Sequence, residues 1–325
     1  MSQKLAVSVS PHIRIKGNIS RMMWDVIIAL VPATIASVYF FGPKAIYIIL
    51  VTTFSALITE ALIQKLCKKP VTIFDGSAVV TGILLAFNLP PGIPLWMAGV
   101  GGAIAISIGK QAFGGLGHNI FNPALVARTI LLISFPMIMT NWSPPRFISF
   151  DALTYATPLA VLKENSILTP LKDLFIGNVG GCIGETSALA LIIGALYLLL
   201  RKHITWHIPF TFIATAGILC WIFGGEELFR GPMLFHILAG GLLLGALFMA
   251  TDPVTSPTSR SGRMIFGMGC GAITALIRLK GGPPEGVSFS ILLMNAFTPL
   301  IDRFIRPRKK ARVKRGNGET EKVSR

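Results

Sequence analysis

Apolar residues run along this chain in long blocks, interrupted by short clusters of glycine, proline and charge. The blocks fall at about 24–41, 45–66, 77–90, 94–112, 123–140, 184–200, 207–223, 232–250, 264–280 and 287–305. A hydrocarbon core ~30 Å thick is crossed by about 20 apolar residues in a helix. Apart from closed barrels, only helices satisfy their own backbone polar groups there. The pattern therefore predicts an all-α polytopic membrane protein of about ten transmembrane helices. Two blocks end abruptly, the third in Asn88-Leu89-Pro90-Pro91 and the eighth in Met249-Ala250-Thr251-Asp252-Pro253. Both read as broken or partly re-entrant helices, which survive at membrane depth only where protein or a cavity meets their polar groups.

The segments between the blocks divide the chain. Residues 1–23 form a polar, basic arm, 24–140 a first transmembrane half, 141–183 one long connection, 184–305 a second half, and 306–325 a basic tail. The first block is followed by Gly42-Pro43 and not by a small-residue cleavage site, so it reads as an uncleaved first span. The tail is poor in hydrophobic residues and is expected to be disordered near anionic lipid.

Composition agrees with the pattern. Charged residues make up 14% of the chain against about 25% in soluble domains, and the mean hydropathy is +0.68. The formal net charge of +16 does not point to nucleic acid, because the positive residues sit at block ends and in the tail and not on one folded face. With the N-terminus inside and every block crossing, 23 lysines and arginines fall on the inner side and 7 on the outer. That asymmetry predicts both termini in the cytoplasm and the 141–183 connection outside.

The stretch Thr81 to Pro91 resembles Leu244 to Pro253, and Phe121-Asn122-Pro123-Ala124-Leu125 is echoed by Asn295-Ala296-Phe297-Thr298-Pro299-Leu300. Five spans separate the copies, which predicts two inverted five-helix repeats with a site at their interface.

Candidate chemistry is sparse. Cys67, Cys182, Cys220 and Cys270 form no CxxC pair, so they read as apolar fillers and no metal site is expected from this chain alone. Asp25, Glu60, Asp75, Glu185 and Asp252 lie in or beside apolar blocks, where ionisable groups are costly. Asp25, Asp75 and Glu185 are near block starts, where a carboxylate favours a helix N-terminus. Glu60 lies within a block and Asp252 at a broken end, so these two are the candidates for an ion path. Thr251, Asp252, Thr255 and Ser256 offer the oxygen ligands that hard cations use. His203 and His207 are four apart and read as an interfacial pair on one helical face. Gly114-Gly115-Leu116-Gly117 follows a helix and does not fit a dinucleotide fingerprint, which needs a preceding strand. Trp142, Trp206 and Trp221 fit aromatic anchoring at block ends. In the long connection, Asp151-Ala152-Leu153-Thr154-Tyr155-Ala156-Thr157-Pro158-Leu159 is on its own a hydroxyl-rich turn, with Thr157 extended before proline and its hydroxyl presented outward.

Over nearly its whole length the chain resembles the D subunit of the Rnf ion-translocating electron transport complex. It is similar, more distantly, to the B subunit of the sodium-pumping NADH:quinone reductase. The resemblance rests on Ser10-Pro11-His12, on Asp25-Val26-Ile27-Ile28-Ala29-Leu30-Val31-Pro32, on Asp75-Gly76-Ser77, on Phe121-Asn122-Pro123-Ala124 and on Thr251-Asp252-Pro253-Val254-Thr255-Ser256-Pro257. It implies a urea-transporter-like fold and covalent FMN, joined by a flavin transferase through a phosphoester to the threonine ending a Ser-Gly-Ala-Thr motif. Here the matching residues are Thr154-Tyr155-Ala156-Thr157, which puts FMN on Thr157 while Thr and Tyr replace the motif's Ser and Gly. Riboflavin is held by related B subunits. The resemblance further implies a multi-pass inner-membrane translocase component, not catalytic alone, working with the A, B, C, E and G subunits of Rnf. Electrons would pass between ferredoxin and NAD as Na⁺ or H⁺ moves. The competing expectation is a urea-transporter-like permease or channel with no redox role.

Overall fold

The structure, a computed structural model, describes residues 18–146, 156–225, 227–281, 285–305, 312–314 and 320–322. The Ser10-Pro11-His12 segment, residues 151–155 of the loop motif and most of the basic tail lie outside the described residues. In chain order the helices are α1 (Asn18–Phe41), α2 (Pro43–Leu66), α3 (Ser77–Phe87), α4 (Leu95–Ser107), α5 (Pro123–Ser134), α6 (Pro136–Met139), α7 (Pro158–Asn165) and α8 (Leu171–Ile176). They continue with α9 (Ala188–Leu200), α10 (His207–Phe223), α11 (Met233–Leu238), α12 (Leu242–Leu244), α13 (Arg260–Lys280) and α14 (Val287–Ile305). A π-helical turn, Gly245–Met249, extends α12. In the tail, where disorder is expected from composition, Arg312–Lys314 pairs antiparallel with Thr320–Lys322.

Among the described residues, four helices are long and apolar enough to cross a membrane: Ile19–Phe41, Pro43–Leu66, Arg260–Lys280 and Val287–Ile305. The chain is thus helical and of membrane type. Helix α2 shows how such a helix is sorted. Ala45, Ile48, Thr52, Ala56 and Glu60 face inward, while Phe54, Ile58 and Leu62 on the opposite side are more than half exposed. Both faces are largely apolar, as a helix between protein and lipid requires. The α1–α2 junction turns at Gly42, whose φ of 79° favours glycine, and Pro43 opens α2 at a position where its missing N–H costs nothing.

Close helix contacts are made through glycine. A Cβ at Gly102 of α4 would lie 2.6 Å from the Thr52 carbonyl oxygen of α2, beside Ser55 and Ala56. In the second half, a Cβ at Gly271 of α13 would lie 2.7 Å from the Phe212 carbonyl oxygen of α10, beside Thr215 and Ala216. The two contacts use the same kind of backbone approach, which small residues permit between membrane helices. Gly271→Leu is expected to force α13 off α10 and to cost about 3 kcal/mol. Its check is the midpoint of detergent-induced unfolding, and an unshifted midpoint would refute the packing role.

The third and eighth blocks are broken, as their endings suggest. Helix α3 stops at Phe87. The eighth block leaves helical geometry after Met249, and it is interrupted once more at 239–241, between α11 and α12.

Candidate functional site

The broken helices meet inside the molecule. Helix α3 starts where Asp75 Oδ1 accepts from the Ser77 N–H (2.8 Å) and the Ser77 hydroxyl (2.6 Å). This is the helix-start role expected of Asp75. At the other end of α3, the carbonyls of Phe87 and Leu89 accept from the backbone N–H groups of Gly184 (3.1 Å) and Ile183 (3.0 Å). The loop before α9 therefore supplies the donors that end the half-helix. Gly184 is needed for that approach, since a Cβ there would lie 2.1 Å from the Phe87 ring.

Asn88 joins the two halves. Its amide donates to the Leu84 carbonyl (2.7 Å) and to Met249 Sδ (3.4 Å) in the π-helical turn. Asn122, which caps α5 by accepting from the N–H of Ala124 (3.1 Å), donates its amide to the Met249 carbonyl (3.2 Å). Both broken ends are thus closed by asparagine.

An arginine and a lysine near block ends, counted among the inner-side charges, take buried places. Arg128 lies within α5, 7% exposed. It donates to Asn88 Oδ1 (2.8 Å) and pairs with Glu285 Oε2 (2.5 Å). The helix carries it inward because its guanidinium balances the carbonyl end of α3 and the carboxylate of Glu285. Lys110 pairs with Glu60 Oε1 at 2.7 Å with both side chains almost fully buried. Its ammonium also donates to Ser77 Oγ (2.6 Å). Removing Lys110 and Arg128 from the charge count leaves the inner-side excess intact.

Cys182, Glu185 and Glu285 bring a sulfur and two carboxylates within 4.8 Å of one another. Glu185, expected at a helix start, instead sits three residues before α9, which Ser187 caps. Its Oε1 accepts from the Cys182 N–H (3.0 Å).

Asp25 and the histidines also depart from expectation. Asp25 is about two turns beyond the start of α1, because that helix begins at Asn18. It is buried and takes bonds from Tyr197 (2.9 Å), Arg201 (3.1 Å) and His203 Nε2 (2.5 Å). His203 therefore has a carboxylate partner, and it lies in the turn before α10, whereas His207 is that helix's first residue. The two do not share a helical face, because the chain turns between them.

The candidate ion-path residues converge near the start of α3. Asp252 lines one cavity with Ser77, Thr81, Lys110, Asn122 and His203. Glu60 stands directly behind Lys110. Asp252 itself accepts from the Val254 N–H (3.2 Å) and the Thr255 hydroxyl (3.3 Å), so Thr255 is a partner of that carboxylate.

Thr157 lies beyond the other end of α3, with Glu185, Gly240 and Glu285 around it. Its backbone is extended (φ −66°, ψ 154°), as its place before Pro158 requires. The side chain is not presented outward: it is 3% exposed. The hydroxyl oxygen accepts from the Ala160 N–H (3.3 Å) and so caps α7, with Pro158 at the first helical position. The sequence Thr-Pro is therefore a helix start. Leu159 holds α7 down in a cluster with Leu174, Val179, Phe235 and Ala239.

This placement fits a phosphoester. An esterified threonine oxygen still has a lone pair for the Ala160 N–H, and a phosphate there sits at a helix N-terminus, where backbone donors and the helix dipole favour an anion.

A helical membrane protein with two interrupted helices closed on each other by asparagine and arginine is the class these features define. The chain belongs to the NQR2, RnfD, RnfE family, whose profile matches residues 6–311. It is 49% identical over 314 residues to the D subunit of the proton-translocating ferredoxin:NAD(+) oxidoreductase complex of Clostridium ljungdahlii, covering 93% of this chain and 95% of that one. It is 50% identical to the D subunit of the Na(+)-translocating ferredoxin:NAD(+) oxidoreductase complex of Acetobacterium woodii, covering 94% of each. With the D subunit of the ion-translocating oxidoreductase complex of Escherichia coli (strain SE11) the identity is 38%, over 93% of this chain and 97% of the relative.

Proposed function

We propose that this chain is the membrane-embedded D subunit of an ion-translocating ferredoxin:NAD oxidoreductase complex and carries FMN covalently on Thr157. The observation that carries the cofactor assignment is Thr157 as the N-cap of α7, an anion-favouring position on a short helix anchored by Leu159. The near full-length similarity to the D subunits of two such complexes supports the assembly. The partners are the other Rnf subunits, with a flavin transferase for maturation.

The reading includes ten crossings in two inverted five-helix repeats with a urea-transporter-like arrangement. The matched glycine contacts of α2 with α4 and of α10 with α13 support it, as do the two interrupted helices. Both termini lie in the cytoplasm of a cell-membrane protein, and Thr157 lies on the extracytoplasmic side. Bound FMN supplies the electron transfer. The chain's own residues fix where that happens: Thr157 tethers, α7 holds the phosphate end, and Leu159 seats α7 on α11. Glu60, paired to Lys110, and Asp252 line the cytoplasmic half of the ion path.

The test is in-gel flavin fluorescence of the denatured subunit, purified from a host that makes the transferase. A fluorescent wild-type band that is lost in Thr157→Ala is the expected result. A colourless wild-type band would overturn the redox reading and favour a permease.

A further inference from the structure

Beside α7 lies a second cavity, of about 470 Å³, bordered by Leu159, Leu162, Lys163, Gly225, His236 and Arg278. Its size is within the roughly 300–1,000 Å³ of small-molecule sites. It is built from α7, α11, the end of α13 and the turns that follow α7 and α10, and among the described residues none that line it is acidic.

Two of its lining residues, Arg278 and His236, carry a buried nitrogen without a partner. Arg278 is 5% exposed. Its Nη1 donates to the His236 carbonyl, and its Nη2 to the Ala239 carbonyl at 2.9 Å. Among the described residues, Nε of Arg278 and Nδ1 of His236 have no partner, and no carboxylate lies within ion-pair distance of Arg278. Glu185 and Glu285 act on it only at longer range. A buried guanidinium answered only by carbonyls is costly unless an electron-rich group meets it.

The cavity also lies within reach of the tether. Leu162 and Lys163 are five and six residues past Thr157, about 8–9 Å along a helix, a length that a five-carbon ribityl chain matches. Thr157 also lines a smaller pocket with Glu185 and Glu285, carboxylates that disfavour the added electron density of a reduced flavin ring. Charge thus selects the basic cavity.

We propose that this cavity seats the isoalloxazine ring of the flavin on Thr157, with Arg278 as the cation facing the ring's electron-rich pyrimidine edge. The assignment rests on the FMN reading above. It makes Arg278 a positioning and potential-setting residue: a fixed positive charge favours the reduced ring, which gains electron density.

The assembled complex tests it, with Arg278→Gln, Arg278→Lys and Leu162→Trp each read for in-gel flavin fluorescence and for the redox titration of the covalent flavin. Arg278→Gln is expected to keep the fluorescent band. At fixed ambient potential its ratio of reduced to oxidised flavin should fall at least about tenfold, the order of one unit charge removed at an effective ε of ~20. Arg278→Lys should restore most of that ratio. Leu162→Trp, which fills the cavity and leaves Arg278 in place, should leave the band and raise quenching of native flavin fluorescence by iodide as the ring is displaced. A covalent flavin whose potential is unchanged in Arg278→Gln and whose iodide quenching is unchanged in Leu162→Trp overturns the proposal. If Arg278→Gln fails to assemble, Arg278→Lys and Leu162→Trp decide it. A wild-type complex without covalent flavin fails the earlier reading instead, so the two failures are distinct.

Discussion

Thr157→Asn is expected to abolish covalent flavin while leaving α7 folded, and Thr157→Ser is expected to keep both. The prediction separates two jobs held by one oxygen. As an N-cap, Thr157 accepts from the Ala160 N–H, and serine or asparagine does this equally well. As an attachment point it must offer a hydroxyl for esterification, which asparagine lacks. Thr157→Ala loses both, so about 1 kcal/mol of helix stability goes with the flavin. In-gel fluorescence reads the attachment, and protease resistance of the 156–176 region in the native subunit reads the fold. A fluorescent Thr157→Asn band would move the attachment to another residue. Because Thr157 is only 3% exposed, its esterification would require α7 to lift from the surface formed with Phe235 and Ala239, so an attaching enzyme would have to act before α7 is seated.

Lys110→Met is expected to cost about 3–5 kcal/mol, because it leaves the Glu60 carboxylate buried without its cation. The pair is 2.7 Å apart, with side chains 2% and 1% exposed, so solvent offers no relief. Gln64 and Gln111 still donate to Glu60 Oε1, but neutral amides do not cancel a charge. The double variant Glu60→Gln/Lys110→Met should recover most of the loss, since removing both charges removes the desolvation cost as well. Unfolding midpoints of the three variants in detergent check the cycle. If Lys110→Met unfolds like the wild type, the ion pair is not a structural element.

The apolar blocks are legible in the sequence because crossing lipid leaves few choices of composition. Every block has a helix within it, and the breaks after Phe87 and Met249 fall where an Asn-Leu-Pro-Pro or a Thr-Asp-Pro run ends the block. The further interruption at 239–241 is not visible in hydropathy, since Ala239-Gly240-Gly241 lies inside an apolar run. Lys110 and Arg128 stand near the ends of apolar blocks, and position along the chain does not say whether a charge meets water or a distant carboxylate. Glu60 and Glu285 are 50 and 157 residues away from them, so only the fold joins the pairs. An arginine inside an apolar run, as in Ala127-Arg128-Thr129, is the available signal for Arg128. The Asp25–His203 contact is hidden in the same way, across 178 residues. Thr157 stands out only through a resemblance. Its cap role is legible from the Thr-Pro pair, yet its burial is not, because that depends on the packing of α7 against α11.

The shortness of α3 bears on how the chain is made. Its 11 residues extend about 16 Å, roughly half of what a bilayer core demands. Its ending carbonyls are met by Ile183 and Gly184, nearly a hundred positions later in synthesis. During biogenesis this segment has no stable resting place in lipid by itself and must wait, sheltered between α2 and α4, until the ribosome has delivered the loop before α9. Membrane insertion of this protein is therefore completed late and cooperatively, with the first half held incomplete until the second begins.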